Sequence, residues 1–261
     1  MPEDAVLGIA RLAGAAILEI YETDAADGAS RLANKADNSP LTLADLAAHK
    51  TIATGLAAAT PHIPVVSEED GASGSVRVQA ECFWLVDPLD GTKEFLAKNG
   101  EFTVNIALIE HGVATWGVVF APVLGAMYWG GPGKGAMFAD ATARRSLQVA
   151  SQPAQADTCR VVASKSHLNE ETSDFIAKLG TVDLVQAGSS LKFCRVAEGK
   201  AHIYPRLAPT CEWDTAAAQA ILEGAGGHVC DLQGDPLRYG KPNVLNPHFV
   251  ASAVPFHALI R

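Results

Sequence analysis

Two aspartates three residues apart, Asp87 and Asp90, end the apolar run Phe83 to Val86 and are followed at once by Gly91-Thr92. A second acidic group, Glu68-Glu69-Asp70, closes another apolar run, Ile63 to Val66. Far downstream, Trp213-Asp214 opens an alanine-rich segment that stops at Gly226-Gly227. Carboxylates gathered at strand ends are costly unless something positive sits among them. Hard oxygen donors with no Cys or His in the set suit Mg²⁺ rather than zinc. The Gly91-Thr92 turn beside them offers backbone N–H groups to a phosphate. Metal and phosphate together are the chemistry these residues could do.

Each residue taken singly also has a bland reading. Asp-Pro and Asp-Gly are common turn dipeptides, and Asp90 could cap a helix beginning near Thr92. Asp45 could complete a capping box with Thr42, and Asp214 could cap the helix that follows it. Glu68 and Glu69 fit a solvated acidic loop, Lys192 and Arg206 a charged surface, and His167 an exposed loop.

The set as a whole resembles the lithium-sensitive, magnesium-dependent phosphomonoesterases of the inositol monophosphatase superfamily. The resemblance is carried by Glu68-Glu69, Asp87-Pro88-Leu89-Asp90-Gly91-Thr92, Trp213-Asp214 and Gly226-Gly227, in order and spacing. Within it, Asp87 to Phe95 and Gly188-Ser189-Ser190-Leu191-Lys192-Phe193-Cys194 resemble the bacterial 3′(2′),5′-bisphosphate nucleotidase branch. The family helix usually ends Glu-Ala-Gly-Gly. Here Gly224 precedes Ala225-Gly226-Gly227, and Ala218 stands where glycine is frequent, which leaves the packing of that helix open.

The resemblance implies a layered α-β-α-β-α sandwich and a site holding two or three Mg²⁺. Glu68, Asp87 and the Leu89 carbonyl would hold one ion, helped by the Thr92 hydroxyl. Asp87, Asp90 and Asp214 would hold a second. It further implies that Asp45, linked to Thr92, takes a proton from the attacking water, and that Gly91 and Thr92 N–H groups bind the phosphate. Arg206 stands near a position where inositol monophosphatases carry an acidic residue. With Lys192, Ser189 and His167 it would hold a second phosphate. The expected reaction is hydrolysis of adenosine 3′,5′-bisphosphate to AMP, removing that nucleotide in sulfur metabolism. The alternatives are an inositol-1-monophosphatase, which a second anion site disfavours, and a regulatory binding protein that keeps the fold.

The elements that must position these residues follow from pattern. Asp4 to about Ala26 reads as an amphipathic helix with Leu7, Leu12, Ile17 and Ile20 available to a core, and about Leu43 to Ala59 as a second. Lys35 to Pro40 reads as a loop and Gly71 to Gly74 as a flexible connection. Strands are expected over Ile63–Val66, Phe83–Val86, Phe102–Ile109, Val113–Ala121 and Ala126–Trp129, the last three a meander suggesting an antiparallel sheet. The polar segment Ala150 to Asp157 suggests a boundary between an N-terminal α+β lobe, 1–150, and a C-terminal α/β lobe, 151–261. In the second, strands at 160–163, 183–186, 202–204 and 228–231 alternate with helices at 169–178, 190–197 and 214–224.

Composition agrees. Of 261 residues, 48% are hydrophobic and 19% charged, which supports a large core and excludes a disordered chain. A net charge of −9 disfavours a nucleic-acid polymer as partner. It does not exclude a small phosphorylated nucleotide, since bound cations reverse the local sign. Five cysteines without a CxxC pair suggest reduced thiols. The acidic amino terminus is unlike a signal peptide, and Arg11 and Glu19 interrupt the apolar run from Ala5 to Ile20. A cytoplasmic protein without a membrane span is expected, with peripheral attachment at the cytoplasmic face of the inner membrane and a homodimer left open.

Overall fold

Side chains alternate between the two faces of a strand, so a strand apolar throughout must be covered on both sides. That is the condition of the central strands in the computed structural model, which describes residues 2–23, 31–34, 40–70, 74–154, 157–163 and 169–260. The chain begins with α1 (Glu3–Thr23), β1 (Arg31–Asn34), β2 (Pro40–Thr42) and α2 (Leu43–Ala59). β3 (Val65–Ser67), α3 (Gly74–Gln79), β4 (Cys82–Asp90) and α4 (Thr92–Leu96) follow. β5 (Thr103–Glu110), β6 (Val113–Ala121), β7 (Ala126–Gly131), β8 (Gly135–Ala139) and β9 (Arg144–Ser146) form the meander. They complete a seven-stranded sheet in the order β3-β4-β5-β6-β7-β8-β9, antiparallel except for the β3–β4 pair.

Strands and helices then alternate: β10 (Cys159–Ala163), α5 (Glu170–Ala177), β11 (Val182–Gln186), α6 (Leu191–Ala197), β12 (Ile203–Arg206) and α7 (Glu212–Gly224). β13 (His228–Asp231) and β14 (Phe249–Ser252) complete a five-stranded sheet in the order β11-β10-β12-β14-β13. β10 runs parallel to β11 and β12, whereas β14 is antiparallel to both its neighbours.

Three apolar cores separate five layers. One face of the large sheet, with Trp84, Val86, Ile106 and Val118, packs on α1 and α2. Its opposite face, with Leu85, Ala107, Val119 and Tyr128, packs on α6 and α7, which in turn cover Val162, Tyr204 and Phe249 of the small sheet. The far side of that sheet, with Val161, Ile203 and Val250, is closed by Phe175 and Ile176 of α5 and by Phe256. The order α-β-α-β-α is the expected sandwich, and α7 lies at its centre.

Several details differ from expectation. Leu12 is 63% exposed, because the buried positions Val6, Ile9, Ala10, Ala13 and Ile17 define a helical face on which Leu12 does not fall. The expected loop over 35–40 is bordered by an unanticipated hairpin, with Pro40 in β2 and 35–39 outside the described residues. Gly74 starts the unanticipated α3, while 71–73 lie outside the described residues. β8, β9 and β14 also carried too little local signal to be anticipated. β12 extends through Pro205 to Arg206, which the ladder tolerates because β10 pairs with β12 only at Ile203. The end of α7 is well packed: a Cβ at Gly224 would meet Gly135 O at 2.7 Å and Gly131 O at 2.9 Å, so glycine there lets helix and sheet touch.

Candidate active site

β4 carries the central acidic pair. Its register against β5 runs Asp87↔Asn105 and then Asp90↔Thr103, so one extra residue is accommodated between the aspartates. The Asp-Pro-Leu-Asp segment is therefore a β-bulge within a continuous strand rather than a turn after it. Bulges re-aim side chains beside active sites. Asp87 is 2% exposed, and its Oδ1 accepts the Leu89 N–H at 3.1 Å. Glu68 arrives on the neighbouring strand end, where β3 pairs parallel with β4 and the Glu68 N–H donates to Val86 O at 3.0 Å.

Gly91 has φ +92°, and a Cβ there would stand 2.0 Å from Ser189 Oγ, so only glycine fits the approach of the two segments. It leads into α4, placing the Thr92 hydroxyl 3.5 Å from both Asp45 Oδ1 and the Leu89 carbonyl. Asp45 is fully buried at the start of α2, and its Oδ2 accepts the Thr42 N–H at 2.8 Å and the Thr42 hydroxyl at 2.5 Å. The capping reading and the link to Thr92 thus hold together, one on each carboxylate oxygen.

Asp214 lies within the first turn of α7, and its Oδ2 accepts the N–H of the N-cap residue Cys211 at 2.7 Å, so it caps the helix as well as lining the cleft. A residue that sequence reasoning passed over fixes this end of the helix. Glu212 is fully buried, paired with Arg77 at 3.2 Å and Lys241 at 2.6 Å, and accepts the Gly240 and Lys241 N–H groups. Ser190 and Asn105 were passed over as well. Ser190 donates its N–H to Asp90 Oδ2 at 2.7 Å, with its hydroxyl 2.8 Å from the same oxygen. A polar side chain on an otherwise apolar strand, Asn105 in Thr103–Glu110, was the one available signal.

One cavity of about 270 Å³ is lined by Glu68, Asp87, Leu89, Asp90, Gly91 and Thr92, with Asp214 and Arg206 on its wall. A smaller one adjoins it, sharing Asp90, Arg206 and Asp214 and adding Ser189, Lys192 and Tyr204. Lys192 is 9% exposed, its Nζ donating to Ser189 O at 2.9 Å and lying 5.7 Å from the centre of the Tyr204 ring. Arg206 donates to Pro209 O at 3.2 Å, and its buried Nε has no hydrogen-bond partner among the described residues. The Ser189 hydroxyl lies 2.9 Å from Asp90 O and 2.8 Å from Glu101 O, engaged with the backbone rather than free for a ligand. His167 lies outside the described residues.

Burial pushes the Asp214 carboxyl up to about 8; Asp90 and Glu68 add to the rise, while the Cys211 N–H and Arg206 oppose it. Among the described residues no three His, Cys, Asp or Glu side chains close on one cation-sized point. The carboxylates line a wall rather than a finished shell. Their chemistry nonetheless fits Mg²⁺: oxygen donors only, crowded and partly desolvated, so that a hard cation relieves a repulsion already present.

A layered α/β protein with an oxygen-donor cleft at strand ends, beside a buried lysine and a partly buried arginine, defines the class as a phosphate-ester enzyme fold. A model of the inositol monophosphatase family matches residues 3–258, and the chain belongs to that family. It is 49% identical over 252 residues to the 3′(2′),5′-bisphosphate nucleotidase CysQ of Escherichia coli K12, covering 95% of this chain and 98% of that protein. The crystal structure of CysQ from Bacteroides thetaiotaomicron superposes with a TM-score of 0.82 at 43% identity, covering 95% of this chain and 96% of that one. An IMPase from Thermotoga maritima, at 22% identity and a TM-score of 0.76, shares the fold over 98% of this chain and 94% of its own. Among the described residues, no helix is long and apolar enough to cross a membrane.

Proposed function

We propose that the chain is a magnesium-dependent phosphomonoesterase that hydrolyses adenosine 3′,5′-bisphosphate to AMP and phosphate, removing that nucleotide in sulfur metabolism. The observation that carries this reading is the pair of adjoining cavities, one lined by carboxylates and the other by Lys192, with Arg206 common to both. A substrate with two phosphates would occupy both; one with a single phosphate on a polyol would leave the cations without a partner. The nucleotidase named among the relatives has such a substrate.

Glu68, Asp87, Asp90, Asp214 and the Leu89 carbonyl would hold the Mg²⁺ ions. When bound, these supply positive charge that acidifies a nucleophilic water and stabilises the leaving oxygen of an in-line displacement. Asp45 receives the water's proton through Thr92, whose hydroxyl stands between Asp45 Oδ1 and Leu89 O. The N–H groups of Gly91 and Thr92 bind the phosphoryl oxygens as negative charge builds. Lys192 and Arg206 hold the 5′-phosphate and so orient the 3′-phosphate at the carboxylate wall. Five cysteines without a CxxC pair accord with the cytoplasm as the site of this work.

Phosphate release, measured with and without Mg²⁺ on adenosine 3′,5′-bisphosphate, inositol 1-phosphate and fructose 1,6-bisphosphate, tests the reading. The highest kcat/KM, lost on chelation, is expected for the nucleotide. Preference for inositol 1-phosphate would assign the other branch of the family, and no release from any substrate would leave a binding protein.

A further inference from the structure

We propose that Ser190, oriented by Asn105, is a positioning residue that fixes the Asp90 carboxylate for cation binding and joins it to the segment carrying the second-anion pocket. The inference rests on the phosphatase reading for the role of Asp90 and adds a residue to it. Asp90 Oδ2 accepts the Ser190 N–H at 2.7 Å, lies 2.8 Å from the Ser190 hydroxyl and accepts Asn105 Nδ2 at 3.4 Å. Asp90 Oδ1 takes none of these bonds, and Asp90 lines both cavities.

The direction of the hydroxyl is set by its neighbours. Asn105 Nδ2 donates to Ser190 Oγ at 2.8 Å, while the Thr103 hydroxyl donates to Asn105 Oδ1 at 3.1 Å and fixes which way the amide faces. With Asn105 donating to it, Ser190 Oγ has its one hydrogen to give, and the charged Asp90 Oδ2 at 2.8 Å outcompetes the neutral Asp214 carbonyl at 3.1 Å. Ser190 and Asn105 are 2% and 1% exposed, so this cluster has little water to replace a lost bond. Charge-assisted bonds of this kind are the strong ones.

The same segment reaches the second-anion pocket. Ser189 ties its hydroxyl to the Asp90 carbonyl, and its own carbonyl accepts Lys192 Nζ. The start of α6 is therefore clamped to the end of β4 at three points on Asp90, and displacing that clamp moves a cation donor and a phosphate-binding lysine together.

Ser190→Ala removes the hydroxyl and keeps the N–H bond; Ser190→Cys keeps nearly the same volume with a poor donor. Calorimetric titration of Mg²⁺ into each variant without nucleotide is expected to show affinity reduced about tenfold or more, the worth of one hydrogen bond to a charged group. Turnover of adenosine 3′,5′-bisphosphate at subsaturating Mg²⁺ should fall in parallel, with a smaller change in nucleotide KM. A purely structural serine would lower thermal stability and leave the Mg²⁺ affinity of the folded protein unchanged. That result in either variant overturns the inference, as does absence of Mg²⁺ binding by the unmodified protein. Weakened Mg²⁺ binding in the variants, with no nucleotide hydrolysis by the unmodified protein, would instead remove the substrate reading and leave the role of Ser190 standing.

Discussion

Asp45 Oδ1 stands 3.5 Å from Thr92 Oγ1 while Asp45 Oδ2 closes the capping box on Thr42, so one buried carboxylate both starts α2 and faces the cleft. The two tasks use different oxygens, and the cap holds the second oxygen still. A bond at the limit of hydrogen-bond reach is usual before substrate tightens a site.

Asp45→Asn keeps an acceptor for the Thr42 N–H and loses the base. Turnover should fall by about 10²–10⁴-fold, the usual contribution of a general base. Asp45→Ala should lose activity to the same extent and cost about 1 kcal/mol more stability through the cap. Steady-state rates with urea unfolding of both variants check this; near-normal turnover of Asp45→Asn would return Asp45 to capping alone.

Arg77 and Glu212 form an ion pair at 3.2 Å with side-chain exposures of 5% and 0%. Arg77→Met would strand the Glu212 carboxylate with Lys241 as its remaining cation. Breaking one side of a buried pair typically costs about 3–5 kcal/mol, and Lys241 places the expected loss at about 3 kcal/mol. Adding Glu212→Gln to Arg77→Met removes the buried carboxylate but leaves Lys241, 28% exposed, without it, so the double variant should lose less than the sum of the two single losses. Denaturation midpoints of the single and double variants decide between this coupling and two independent losses.

The Asp214 carboxyl, pushed up to about 8, predicts how the metal-free protein responds to pH. Below the ordinary aspartate value, about 3.9, folded and unfolded forms are both protonated and the group contributes no slope. Between about 4 and 8 the folded form holds the proton that the unfolded chain releases, so this group lowers stability as pH rises through that window. Mg²⁺ favours the ionised form and should flatten the slope. Melting temperatures across that window, with chelator and with Mg²⁺, check this; parallel curves would mean that the carboxylate wall does not take the cation.

What was legible in the sequence was local. The apolar runs ending at Val66 and Val86 marked the strand ends that carry Glu68 and Asp87, because burial on both faces leaves an unbroken hydrophobic signal. α2 was legible to the residue, from the Thr42–Asp45 capping pattern to Ala59. What was hidden was non-local. Ser190 is 100 residues from Asp90, and Arg77 is 135 from Glu212; no periodicity or spacing rule links such positions. The bulge at Pro88-Leu89 was hidden too, since Asp-Pro reads as a turn until β5 shows the strand continuing to Asp90.

Substrate choice is expected to rest on Lys192 and Arg206, which line the smaller cavity together. If they hold the 5′-phosphate, Arg206→Ala should damage hydrolysis of adenosine 3′,5′-bisphosphate far more than that of a small monophosphate. A hydrogen bond to a charged group is worth roughly 1.5–3 kcal/mol, or about tenfold to a hundredfold or more in kcat/KM. Arg206 also shares both cavities with Asp214 and its charge opposes the rise in that carboxyl's pKa, so a modest loss common to all substrates is expected beneath the selective one. Lys192 lines only the second of the two cavities and should show the selective loss more cleanly. The double variant should be less than additive if both cations share one phosphate. Measured kcat/KM for both substrates on all three variants decides the matter: a ratio that stays at the unmodified value means that these cations do not read a second phosphate.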